Sequence, residues 1–209
     1  MASQQPASAD LRRVRGEQRR LQILEAACKV VASAGAGALT HRAVAEQAGV
    51  SLASTTYHFS SIHALRRATF AFAGGQIAEE VSRLASAASS ATELAEVAGD
   101  FAHRLCRDRR VETVAVLELI VAAGYDARLR ALARYFHRHL ASVLVPFVGS
   151  EAVALEVAAA MHGLVLVALT AAGARRNESA EFARQAAKGL VARYVVPFAA
   201  LPDGERPYG

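Results

Sequence analysis

The most chemically suggestive stretch of the chain runs from Thr40 to Phe59, THRAVAEQAGVSLASTTYHF. Ser51, Ser54, Thr55 and Thr56 bring hydroxyls that can reach phosphates or base edges. Leu52 and Ala53 can touch a thymine methyl, and Tyr57 and His58 have polar tips within reach of a nucleic-acid backbone. No acid occurs from Gly49 to Ala78, so nothing there repels DNA, whereas an ordinary surface helix would carry Glu/Lys pairs. Other chemistries fit worse. The seven histidines invite a metal site, yet His137 and His139 diverge on one helix, His58 and His63 straddle a helix junction, and no HExxH occurs. There is no GxSxG, phosphate loop or dinucleotide fingerprint. Cys28 and Cys106 fit no metal or disulfide spacing and read as small buried hydrophobes in a reducing compartment. No catalytic residue, metal ligand or cofactor is expected, and an all-α enzyme is the remote rival.

The elements that must position these residues are helical. The 209 residues are 53% hydrophobic and 21% charged, which excludes a disordered or fibrous chain. Alanine dominates the apolar set, which favours helix over a β-sandwich or barrel. Leu21, Leu24, Cys28 and Val31 recur at three and four as a core-facing stripe, stopped by Gly35 and Gly37. Thr40 reads as the N-cap of a short helix to Ala48, Gly49 as its breaker, and Ser51 as the cap of a second short helix to His58. Further helices are expected at Ser61–Leu84, Thr92–Arg107, Val111–Ala123, Ala127–Phe147, Glu151–Ala172 and Glu178–Val196, with Pro197 as the last stop. The spacing thus predicts an all-α chain of about nine helices. Its expected parts are a flexible basic arm (1–16), a helix-turn-helix domain (17–62), a larger helical domain (63–200) and a loose tail (201–209).

Charge agrees with a nucleic-acid partner at one end. Residues 1–70 hold nine basic and four acidic residues, a net of +5, while residues 71–209 hold fifteen of each. Arg12, Arg13 and Arg15, then Arg19 and Arg20, can contact phosphates or a minor groove. The first sixteen residues carry no apolar leader, so a cytoplasmic location is expected. Val157 to Ala174 lacks Asp, Glu, Lys and Arg but is rich in alanine and contains His162, so it reads as a helix buried by protein, not a membrane span.

The two short helices around Gly49 form a helix-turn-helix, whose second member enters the major groove. At this point residues 18–70 resemble the DNA-binding domain of the TetR family of bacterial transcription regulators. The resemblance runs through Arg20 to Ala27 (RLQILEAA), Thr40, Ala43-Val44-Ala45, Ala48-Gly49-Val50-Ser51 and Tyr57-His58-Phe59. It implies that Thr40 meets a phosphate, that Ser51 caps the recognition helix, that Leu52 to Thr56 face the groove, and that Tyr57 and His58 contact phosphate. With His41 and Arg42, these make up the expected DNA-contacting set. The chain departs from the family pattern at Ala53, where many members have Gly, and at Thr56, where many have an aromatic. It also has Ile62 in place of a phosphate-binding Lys, leaving His63 or Arg66 as substitutes.

A palindromic duplex site is best read by a two-fold dimer. The last two helices suit that interface, with small residues Ala158, Ala159, Ala160 and Gly163 on one and Phe182, Leu190, Tyr194 and Val195 on the other. Between the two ends, His103, Glu118, Tyr125, His137, His139, Met161 and His162 place polar or polarisable groups among apolar faces. The resemblance implies a ligand pocket here, for which His103, Glu118, Tyr125, Met161 and His162 are the candidate contacts. The Ala/Val/Leu-rich surroundings point to a hydrophobic small-molecule effector. The expected function is an operator-binding homodimeric repressor released by that effector. A helix-turn-helix activator or a ligand-independent DNA-binding protein would share the same features.

Overall fold

The computed structural model describes residues 5–171 and 176–199. Among them the chain forms nine α-helices and no strand: α1 Gln5–Ala34, α2 His41–Ala48, α3 Leu52–His58, α4 Ile62–Ala87, α5 Ala91–Cys106, α6 Arg110–Ala123, α7 Ala127–Val148, α8 Glu151–Ala171 and α9 Arg176–Ala199. A single 3-10 turn, Ala36–Ala38, follows α1.

Short polar side chains start most of these helices, each satisfying a backbone N–H that the helix itself cannot pair. Thr40 Oγ1 accepts from the Ala43 N–H at 3.0 Å, Ser51 Oγ from Ser54 at 3.2 Å, and Ser61 Oγ from Ala64 at 3.1 Å. At α5 the arrangement is reciprocal. Ser90 Oγ accepts from the Glu93 N–H, and the Glu93 carboxylate accepts from the Ser89 N–H and hydroxyl, which holds its pKa below the usual carboxylate range. Gly49 closes α2 at φ +64°, a left-handed conformation that costs other residues strain.

The buried face of α1 is Ile23, Leu24, Ala27, Cys28 and Val31, packed with Val44, Phe59 and Leu65. Burial pushes the Cys28 thiol up to about 12, so it is an inert core residue. The same cluster continues without a break into Phe70, Leu119, Leu129 and Phe136, so the amino-terminal helices share a core with the nearer part of the remaining helices, while two smaller clusters, around Leu94, Val157 and Val191 and around Ala141, Ala154 and Ala158, lie apart from it. On the far side α5 lies along α9. A Cβ at Gly99 would stand 2.8 Å from the Arg184 carbonyl oxygen, so only glycine permits this approach. Asp100–Arg184 (2.8 Å) and Glu96–Lys188 ion pairs flank it.

Three expectations need correction. Residues 5–16 are not an irregular arm but the start of α1, with Pro6 in the first turn where a helix tolerates it. Leu21 is 46% exposed and Ile23 takes the core position, because α1 is packed by α2, α4 and α6 and buries a face wider than one stripe. Pro197 does not stop α9, which runs on to Ala199. The expected tail, 201–209, lies outside the described residues. Helix α8 is long and apolar enough to cross a membrane by length and composition; it packs against α7 and α9, but the expectation of a helix buried by protein holds for only a third of its apolar window, and Leu155, Leu166 and Val167 are exposed.

Candidate DNA interface and ligand cavity

Helices α2 and α3 are joined by a turn that is locked from two sides. The Val50 N–H donates to Ala45 O at 2.9 Å, and from α1 the Gln22 Nε2 donates to Ala48 O at 2.8 Å. The second lock ties α1 to the corner and aims α3. At the other end of α3, Phe59 is buried and Arg20 of α1 lies over its ring at 5.2 Å.

This frame sorts the expected DNA contacts. Ser51, Leu52, Ala53, Thr56 and Tyr57 are exposed, with Tyr57 at 86%, and Ser54 and His58 are half-buried beside them. Thr40 and Arg42 are exposed at the start of α2 and His41 is half-buried. Thr55 is the exception. It is fully buried, its hydroxyl donates to Leu52 O at 2.8 Å, and it lies 3.4 Å from His41 O. It joins α3 to α2 and does not face a groove, because a seven-residue helix packed on α2 must turn one position inward. Thr56 Oγ1 donates back to Ala53 O at 3.1 Å, which leaves its lone pairs outward. Burial, then Arg20 and Arg19, hold His58 below the ordinary histidine range, so the positive potential here at neutral pH belongs to the arginines.

Of the two residues offered in place of the missing lysine, Arg66 is engaged within the chain, whereas His63 keeps a side chain that is 43% exposed. His63 Nδ1 and Arg66 Nη1 both face Asp126 Oδ2, at 3.7 and 3.5 Å. Arg66 Nη2 also donates to Ala36 O at 3.5 Å. The Ala36 N–H donates to Glu118 Oε2 at 3.3 Å, so both polar groups of one peptide residue are held from outside the amino-terminal helices. Asp126 caps α7 by accepting from the Arg128 N–H, and this bond, with Arg128, His63 and Arg66, holds its pKa below the usual range.

Farther along α4 lies a cavity of about 120 Å³. Its wall includes Ile77, Val81 and Leu84 of α4, Phe101 of α5, Val116 of α6, Phe136 and Leu140 of α7, and Met161, His162 and Val165 of α8. Of the five expected ligand contacts it contains Met161 and His162. Glu118 is the clamp on Ala36, Tyr125 is 89% exposed, and His103 is half-buried away from the cavity. His162 Nδ1 lies 2.7 Å from Ala158 O, and because a carbonyl only accepts, that nitrogen carries the proton. The His137 and Phe136 rings meet the His162 ring edge-to-face at 5.0 and 5.9 Å. Burial and the nearby His137 hold His162 below the ordinary range, so it is neutral at pH 7. His139 points elsewhere, with Nε2 3.1 Å from Ser82 Oγ. Outside the cavity Glu80 of α4 is clamped by Arg104 (3.1 Å) and by Arg109, whose Nη2 also donates to Gln76 at 2.8 Å. The apolar wall was visible in sequence as helical stripes, but a stripe does not reveal whether its partner face fills the space.

Residues 23–69 match the family model for bacterial regulatory proteins of the tetR family. No curated protein matches the chain. Among solved structures, a transcriptional regulator of Streptomyces coelicolor A3(2) is 28% identical with a TM-score of 0.68, over 85% of this chain and 98% of that one. A TetR family member from the same organism is also 28% identical, with a TM-score of 0.66 over 85% and 98% of the two chains. The multidrug binding protein EbrR, solved with imidazole, is 28% identical with a TM-score of 0.64 over 88% and 96%. EbrR has also been solved with ethidium and with malachite green.

Proposed function

Because the chain is a TetR-family transcriptional regulator, we propose that it is a homodimeric repressor that reads an inverted-repeat operator and leaves it when a small apolar molecule fills the cavity. The observation that carries this reading is the double role of α4. Its amino-terminal end packs Leu65 into the core that also holds Phe59, the residue after α3, and holds Ala36 through Arg66, while its carboxy-terminal half forms the cavity wall with Ile77, Val81 and Leu84. A ligand that pushes α4 outward therefore moves the frame of the recognition helix. Release requires the ligand to favour the DNA-incompetent arrangement, whatever its absolute affinity. That the similar protein EbrR is a multidrug binding protein solved with small molecules supports an effector role for this chain.

The same reading divides the chain into a DNA-reading head (17–62) and an effector and pairing half (63–200), the two joined by a continuous core. Pairing is assigned to α8 and α9. Of the pairing positions expected from sequence, Ala158 and Val195 are buried within the chain itself, whereas on α8 Leu155, Ala159, Gly163 and Leu166 are exposed on one face, and on α9 Phe182, Gly189 and Tyr194 are exposed. Nothing lies within 4 Å of where a Cβ would stand at Gly163 or Gly189, so a second copy can approach closely there. In the head, Thr40, His41, Arg42, Ser51 to Ser54, Thr56, Tyr57 and His58 are the proposed contacts.

Selection of bound duplexes from a random pool tests the reading. The expected product is an inverted repeat with half-sites about one helical turn apart or a multiple of it, released in a reporter strain by an apolar compound. Absence of any sequence preference, or sedimentation as a monomer at micromolar concentration, overturns it.

A further inference from the structure

We propose that the cavity selects an uncharged, largely apolar molecule carrying a single hydrogen-bond donor, of the phenol or alcohol type, whose hydroxyl is accepted by Nε2 of His162. The proposal rests on the effector reading above and adds the chemistry of the ligand.

Three observations carry it. First, no lining side chain is an acid, a lysine or an arginine. A permanent cation or anion entering this space would lose its hydration with no opposite charge in the wall to replace it. Second, apart from the Met161 sulfur, only two lining residues have polar side-chain atoms, Thr113 and His162. The Thr113 hydroxyl already donates to Arg109 O at 2.8 Å, and the Nδ1–H of His162 is committed to Ala158 O at 2.7 Å. The wall therefore keeps no free side-chain donor. Third, the commitment of Nδ1 fixes the tautomer and leaves Nε2 as a bare acceptor, at the edge of the ring away from the helix backbone and without a hydrogen-bond partner among the described residues. A ligand hydroxyl satisfies that nitrogen. A ligand carbonyl or ether brings an acceptor to a site that offers it no donor.

The test is calorimetric titration of the full chain with para-propylphenol, its methyl ether para-propylanisole, and ethidium as a rigid aromatic cation. The expected result is that the phenol binds about fivefold to tenfold tighter than the ether, the worth of one hydrogen bond, and that ethidium binds weaker than both. In His162→Phe the advantage of the phenol over the ether disappears while ether binding persists, which also shows that the variant is folded. In Thr113→Val the advantage survives. Equal affinity of phenol and ether for the native chain, an advantage that survives in His162→Phe, or ethidium as the tightest of the three overturns the proposal. The two levels separate cleanly. If none of the three binds, the effector reading of the cavity falls together with this proposal. If phenol and ether bind alike, only the hydroxyl recognition falls.

Discussion

The head reads DNA from two short helices, α2 and α3, whereas the effector half is built from long ones such as α4, α7, α8 and α9, and the two hold their geometry differently. In the head, a side-chain cap or a lock fixes almost every backbone direction within twenty-odd residues: Thr40 at α2, Gly49 at the corner, Ser51 at α3, Ser61 at α4 and Gln22 across the turn. Its inward residues Val44, Thr55 and Phe59 leave little to rearrange. In the effector half the helices are held at their rims, by Glu80 with Arg104 and Arg109 and by Asp100 with Arg184, around about 120 Å³ left unfilled. A reader of DNA needs one geometry, whereas a receptor needs space that a ligand can occupy with profit.

If the contrast is right, damage to the head should be structural and costly. Phe59→Ala removes the buried anchor at the end of α3 and the surface beneath Arg20. It should cost ~3–5 kcal/mol of stability. Because Phe59 belongs to a core cluster that also holds Leu119 and Leu129, chemical denaturation should show one shifted transition, not a separate melting of the head. Two resolved transitions would break the comparison by making the head an independent unit. Gly49→Val comes next. Its φ of +64° excludes a β-branched residue without strain of about 1–2 kcal/mol. The chain should remain folded and keep its cavity ligand while losing operator binding in a gel-shift assay. Loss of ligand binding by the same variant would show that the two regions are not separable.

A filled cavity should have the opposite sign. Ala98→Leu adds three carbons to a residue of the wall. It should raise stability by up to ~1 kcal/mol, seen as a higher Tm, and leave a repressor that still binds DNA and no longer answers an effector. A lower Tm would mean that the space is already occupied by side chains in solution.

The same contrast explains what the sequence reveals. Thr40, Gly49 and Ser51 act on backbone groups within a few residues of themselves, so their capping and helix-ending roles follow from local rules. Thr55 was misplaced because hydroxyl chemistry suits a groove and a helix–helix contact equally, and only the packing of α2 decides. Arg66 and Glu118 meet at Ala36 from 30 and 82 positions away, a pairing that no spacing rule contains. Tyr125 and His103 drew attention as polar groups near apolar runs, but the cavity is defined by where side chains are missing. A void has no residue to announce it. His162 was legible because a histidine in an uncharged helix must find a partner, and Ala158 O, one turn back, supplies it.

The smallest effect, and the sharpest separation of the two regions, lies in the histidines. His58 in the head and His162 in the cavity are both held below the ordinary value of 6.5, the first by burial and by Arg20 and Arg19, the second by burial and His137. Each favours the neutral form in the folded chain. Their contribution to stability is therefore complete above the unfolded value, near pH 6.5, and is lost as pH falls through the lower folded values. Ligands should split them. DNA phosphates beside His58 stabilise its protonated form and raise its pKa, so operator affinity should tighten modestly from pH 7 to pH 6. A neutral phenol against His162 requires the unprotonated Nε2 and removes remaining water, so its binding should weaken over the same fall. Histidine ring NMR titrations of the free chain, the DNA complex and the phenol complex measure both shifts directly. Opposite movements place His58 against phosphate and His162 against the ligand. Movement of both in the same direction on adding DNA would mean that the change in the head propagates along α4 into the cavity, and the division into a rigid reader and a yielding receptor would have to be given up.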